Sequence, residues 1–86
     1  MEIVYILLSE TNNRYYIGST IDIQRRLSEH NRGQATWTRF GHPWVLSFSL
    51  EVDSYKKAHH LELKIKKMKN RRIIESIIQK QKLEIN

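Results

Sequence analysis

At 86 residues the chain is one small domain; folding at this size buries little more than ~60% of the unfolded chain's surface, which excludes a deep cavity beside a stable core. Fifteen Lys and Arg against nine Asp and Glu give a net charge of +6, a balance that favours a polyanionic partner, nucleic acid ahead of an anionic membrane surface. The absence of cysteine excludes disulfides and a thiolate zinc site, and suits a reducing compartment.

The opening "MEIVYILLSE" holds one apolar run, Ile3 to Leu8, behind an acidic residue. It is too short and lacks the basic leader of a signal peptide, and nothing later is long enough to span a bilayer, so the expectation is a cytoplasmic protein without a membrane partner. The run reads as a strand buried on both faces. Asn12 and Asn13 mark a tight turn, and Arg14 to Gly18 returns as the second strand of a hairpin. With a two-residue Asn-Asn turn, paired residue numbers sum to 25, setting Tyr5 opposite Thr20 and Leu7 opposite Gly18. Any odd sum places Tyr5, Tyr16 and Gly18 on one face, with Tyr15 on the other. Gly18 then leaves a gap beside two tyrosines, where a ligand backbone has room to approach.

"DIQRRLSEHNR", Asp22 to Arg32, reads as a helix capped by Thr20 or Asp22 and closed near Gly33, with Ile23 and Leu27 as its apolar stripe. Arg26 and His30, four apart, share a face of it; Arg25 points elsewhere. A guanidinium forks onto two phosphate oxygens, and an imidazole beside it holds or takes a proton near neutral pH. Gln34 to His42 has no period and reads as a loop, in which Trp37 beside Arg39 is the candidate for substrate contact. From Trp44 the alternation is clean, with Trp44, Leu46, Phe48, Leu50 and Val52 on one face of a third strand. Ser54 caps a second helix with Ala58, Leu61, Ile65 and Met68 inward. Asn70 interrupts, and Ile73, Ile74, Ile77 and Ile78 form the stripe of a third helix. The order ββαβαα predicts an α+β fold, a small three-stranded antiparallel sheet flanked by helices. One domain is expected over residues 1–82, with 83–86 a frayed tail.

The ordered set "VYI" at 4–6, "YIG" at 16–18, the helix with its spaced arginine and histidine, the "PW" before the third strand and "LELKIKKMKN" resembles the GIY-YIG nuclease superfamily over nearly the whole chain. It is most similar to the small stand-alone bacterial proteins related to the excinuclease C-subunit nuclease domain, a link that points toward DNA repair. Val4 stands where the first motif has glycine, which leaves the tyrosine in place. The resemblance implies a metal-dependent endonuclease of DNA, with single-stranded or branched substrates in view. It assigns Tyr5 as nucleophile or activator of the attacking water, Tyr16 as positioner of the phosphate and the proton, and Arg26 as phosphate ligand. His30 would support Tyr5 or relay its proton, and Glu62 would hold one divalent cation, Mg²⁺ or Mn²⁺.

Lys66 and Lys67, within the basic cluster around the second helix, are candidates for neutralising substrate phosphates alongside Gly18, Trp37 and Arg39. A monomer or a weak homodimer is expected, and DNA stands ahead of RNA. Read alone, Tyr5 and Tyr16 also fit core aromatics, Gly18 a strand terminator and Glu62 a solvated helix charge. A non-catalytic nucleic-acid-binding module is therefore the alternative, with an RNA-directed protein behind it.

Overall fold

The computed structural model describes residues 1–33, 38 and 40–83. Its elements are β1 (Glu2–Ser9), β2 (Tyr15–Thr20), α1 (Ile23–Asn31), β3 (Trp44–Val52), α2 (Tyr55–Met68) and α3 (Arg71–Lys80), the ββαβαα order in an α+β fold. The sheet is antiparallel with strand order β2-β1-β3, so the continuous apolar run of β1 lies at its centre. That position explains why β1 lacks alternation: Val4, Tyr5, Ile6 and Leu7 are all buried, two on each face.

The hairpin register differs from the expected one by two residues. Ser9 N–H donates to the Arg14 carbonyl at 2.8 Å and Asn13 N–H donates to the Ser9 carbonyl at 3.0 Å, so four residues, Glu10 to Asn13, form the loop. Asn13 takes φ 63°, a left-handed conformation that asparagine tolerates. Paired numbers sum to 23, placing Tyr5 opposite Gly18 and Leu7 opposite Tyr16. The sum is still odd, so Tyr5, Tyr16 and Gly18 share a face and Tyr15 lies on the other.

The single stripe expected of β3 is split by a bulge. Ile6 pairs with Phe48 but Leu7 pairs with Leu46, which leaves Ser47 over as the extra residue. One unpaired residue shifts the side-chain parity, so Phe48, Leu50 and Val52 lie on one face of the sheet and Trp44 and Leu46 on the other. Two cores result. Val4, Ile6, Ile17 and Phe48 pack with Ala58 and Ile65 of α2 and Ile74 and Ile77 of α3, joined by Tyr15. Tyr5, Leu7 and Trp44 pack with Tyr16, Leu46, and Ile23 and Leu27 of α1. Leu83, expected in a frayed tail, is half-buried and packs against the first core.

The helix ends follow their capping residues. Asp22 accepts from Arg25 N–H at 3.1 Å and Ser54 accepts from Lys57 N–H at 3.2 Å. Asn70, which breaks the second stripe, does so by capping α3 through Arg72 N–H. Among the described residues, no helix is long and apolar enough to cross a membrane.

Candidate active site

The site grows from the α1 face of the hairpin. Tyr5 is opposite Gly18, and its ring fills the space that the glycine leaves: a Cβ on Gly18 would stand 2.6 Å from the Tyr5 hydroxyl and 3.1 Å from the Tyr16 ring. The gap expected there for a ligand is therefore closed by the tyrosine itself. Gly18 is what lets Tyr5 lie across the neighbouring strand.

Above that pair stands α1. His30 Nε2 lies 3.0 Å from the Tyr5 hydroxyl, and the positive charge of Arg26, on the same helix face, acts on that hydroxyl. The Tyr16 ring packs on the His30 ring at 4.8 Å between centroids. His30 Nδ1 lies 2.5 Å from the Thr38 hydroxyl, and the Thr38 carbonyl accepts from the Trp44 indole N–H at 2.8 Å. Asn31 completes this wall by bonding the backbone N–H and carbonyl of Trp44.

Donor chemistry orders the chain of bonds. A neutral imidazole has one donor and one acceptor nitrogen, so His30 plays opposite roles in its two bonds: either Tyr5 O–H donates to Nε2 while Nδ1–H donates to Thr38, or Nε2–H donates to Tyr5 while Thr38 O–H donates to Nδ1. The first arrangement is the one in which the imidazole can accept the proton of the phenol. Tyr5, His30 and Thr38 thus form one hydrogen-bonded line, with the charge of Arg26 at its phenol end.

Burial sets the protonation states. Tyr5 and His30 are essentially inaccessible, and desolvation is the largest cause pushing the Tyr5 phenol up to about 12, against the pull of Arg26 and with help from the charge of Glu62. Desolvation, then the Arg26 charge, pulls His30 down to about 4. Both groups are neutral near pH 7. Their values lie about eight pH units apart, on the order of 10 kcal/mol against moving the proton from phenol to imidazole. Arg26 is the accessible member, with a third of its side chain exposed and an ion pair to Glu29 at 2.8 Å. That partner pushes the guanidinium value up, and Arg26 in turn holds the Glu29 carboxyl below its ordinary range.

Glu62 approaches from the other side of the sheet. β2 is an edge strand, and Ser19, whose side chain lies on the α2 face, donates to Glu62 Oε1 at 2.8 Å. Lys66 holds the second carboxylate oxygen at 2.6 Å. The Glu62 charge acts on Tyr5, so the carboxylate belongs to the same electrostatic site although it is carried by a different layer. Lys66 is tied to that carboxylate, while Lys67, five positions on from Glu62, points to another side of α2. Trp37 and Arg39 lie outside the described residues. Among the described residues, no three acidic or histidine side chains cluster as a metal cage.

Four participants were not singled out in the sequence, among them Asn31, whose partner Trp44 is thirteen residues away. Glu29, three residues after Arg26, was open to a spacing argument. Ser19 follows from strand parity once Glu62 is placed. Thr38 sits in an aperiodic loop and carried no signal.

The GIY-YIG catalytic domain matches residues 1–76. The chain belongs to the GIY-YIG catalytic domain family. It is 38% identical over 69 residues to a UPF0213 protein of Halobacterium salinarum, covering 79% of this chain and 88% of that one. The solution NMR structure of a UPF0213 protein from Bacillus halodurans is similar with a TM-score of 0.56 at 31% identity, covering 92% of this chain and 84% of that chain. The GIY-YIG family is typically one of nucleases, and membership implies nucleic-acid binding. The tyrosines of its two name-giving motifs are here Tyr5 and Tyr16.

Proposed function

We propose that this GIY-YIG domain hydrolyses phosphodiester bonds in DNA. The observation that carries the reading is the hydrogen-bonded line Tyr5–His30–Thr38, with the charge of Arg26 at its phenol end, at a sheet edge that Glu62 reaches from the opposite layer. A structural tyrosine needs one hydrogen-bond partner; this one has an imidazole nitrogen within hydrogen-bond distance and the charge of a guanidinium acting on it as well.

The donor set fits a hard divalent cation. Glu62 offers a half-buried carboxylate already shared with a hydroxyl and an ammonium, and Mg²⁺ commonly takes one or two carboxylates, several waters and substrate phosphate oxygens. Glu62, steadied by Ser19, would hold it. Such a cation, when bound, polarises the phosphate and offsets charge developing on it.

The remaining work falls to the side chains. Arg26, exposed enough to meet solvent, donates to a phosphate oxygen while its charge continues to act on the Tyr5 hydroxyl. Tyr16, half-buried on the same face, orients the phosphate. Tyr5 holds its proton at rest, since burial, the neighbouring Tyr16 and the Glu62 carboxylate all disfavour a phenolate. Offsetting the charge of Glu62 removes the last of these, and His30 Nε2 stands beside the phenol to take the proton as it becomes acidic.

A non-catalytic nucleic-acid-binding module is the second reading, favoured by the near-complete burial of Tyr5 and His30. Cleavage assays separate the two. Purified protein is incubated with single-stranded, duplex and branched DNA and with RNA, with Mg²⁺ or Mn²⁺ and with chelator, beside Tyr5→Phe and Glu62→Ala. Metal-dependent cleavage lost in both variants supports hydrolysis; binding without cleavage supports the module. Cleavage surviving both substitutions refutes the site.

A further inference from the structure

On α2 the residues Tyr55, His59, Glu62 and Lys66 follow one another at spacings of four, three and four, which puts them in one line along the helix. The inward side of α2 is a different one, carried by Ala58 and Ile65. Glu62 belongs to the site; the two residues before it in this line take no part in either core. Tyr55 is 64% exposed, an unusual place for a large aromatic ring. Its ring is stacked on that of His59, with 9° between the planes and 5.7 Å between centroids. The stack holds the tyrosine in one orientation and leaves its outer face to solvent.

We propose that Tyr55 and His59 form a stacking platform for an unpaired nucleobase of a single-stranded DNA, next to the phosphate handled at Glu62; this rests on the reading of the site as a phosphodiester site. At 1.5 Å per residue, His59 and Tyr55 lie about 4.5 and 10 Å from Glu62 along the helix axis. That is the span of one to three nucleotides at the ~3.4 Å repeat of a stacked strand. An exposed aromatic ring can offer a base its face without reading its edge, so the platform accepts any base. It discriminates by strandedness instead, because within a duplex each base face is already covered by its neighbours. The net charge of +6 suits a polyanion along this stripe. The arrangement therefore favours a single strand or an unpaired flap over a blunt duplex.

The test measures binding in chelator, so that it needs no cleavage. The probes are a short end-labelled oligothymidylate, the same strand with its bases removed, and a duplex, each followed by fluorescence anisotropy. The expected result is that Tyr55→Ala weakens binding of the oligothymidylate roughly 5- to 100-fold and leaves the abasic strand and the duplex unchanged. Tyr55→Phe, which keeps the ring, binds like the wild type. The exposure of Tyr55 means that the alanine variant keeps its fold, which its far-ultraviolet circular dichroism checks. Equal binding of oligothymidylate by Tyr55→Ala and the wild type overturns the platform alone, as does an equal loss for the abasic strand. A wild type that binds none of the three probes removes the nucleic-acid reading of the whole site, and the platform with it.

Discussion

Acidification should unfold this protein through His30. The imidazole is fully buried and is pulled from its ordinary 6.5 to about 4, by desolvation first and the Arg26 charge second. Between those two values the unfolded chain binds a proton that the folded one refuses, so stability rises with pH there and falls as pH drops. Each pH unit in that window is worth ~1.4 kcal/mol. The loss is about 2 kcal/mol by pH 5 and about 3 kcal/mol by pH 4, where it levels off because the folded imidazole then titrates as well. For a domain of this size, 1 kcal/mol moves the melting temperature by roughly 4–8 °C, which predicts a fall of roughly 8–16 °C between neutral pH and pH 5. Differential scanning calorimetry across that range, with His30→Gln beside the wild type, isolates the contribution. The variant lacks the titrating ring but keeps every carboxylate and the other three histidines, so only the difference between the two curves counts. Parallel curves, or an imidazole that titrates by NMR near 6.5 in the folded protein, would refute the account of the buried phenol–imidazole pair.

Gly18→Ala places a methyl group 2.6 Å from the Tyr5 hydroxyl and should cost about 1–3 kcal/mol of overpacking, lowering the melting temperature by roughly 5–20 °C; an unchanged value would mean that Tyr5 does not occupy that space. Thr38→Val removes the hydroxyl paired with His30 Nδ1 and should cost ~1–3 kcal/mol for the group left unpaired. Nitrogen-15 chemical shifts of the His30 ring should then move, and Thr38→Ser should restore them. Lys66→Met frees the Glu62 carboxylate from an exposed ion pair worth ~0.2–1 kcal/mol, so Mn²⁺ followed by electron paramagnetic resonance should bind roughly 1.5- to 5-fold more tightly; weaker binding would mean that the ammonium does not compete for the carboxylate.

What the sequence disclosed follows from which physical quantities are local. Caps at Asp22, Ser54 and Asn70 each depend on a side chain and an N–H two or three residues away; the first two were legible, whereas Asn70 was read only as a break between two helices. The sharing of one face by Tyr5, Tyr16 and Gly18 needed only the parity of the hairpin, so it survived an error of two in the register. The loop length itself was not legible, since Asn12-Asn13 suits a two-residue turn as well as the end of a four-residue one. What fills the space beside Gly18 was not legible for a different reason. A glycine shows that space is required, and only the packing shows that the Tyr5 ring takes it. Thr38 was invisible because its contact with His30 depends on how a loop without periodicity returns beneath α1.

The bulge at Ser47 links the fold to the chemistry more closely than any motif residue does. In an unbroken β3, Trp44 and Leu46 would fall on the same face as Phe48, under α2 and α3. The α1 face would then lose two of the apolar side chains packed around Tyr5 and Tyr16. Trp44 also carries the indole N–H that holds the Thr38 carbonyl, and Thr38 in turn holds His30. Desolvation is the largest cause of both the raised Tyr5 value and the lowered His30 value. The dryness that keeps the proton on the phenol at rest is therefore supplied in part by a one-residue slip in the far strand of the sheet. A motif comparison centred on β1, β2 and α1 sees the reacting groups but not the residues that make them dry.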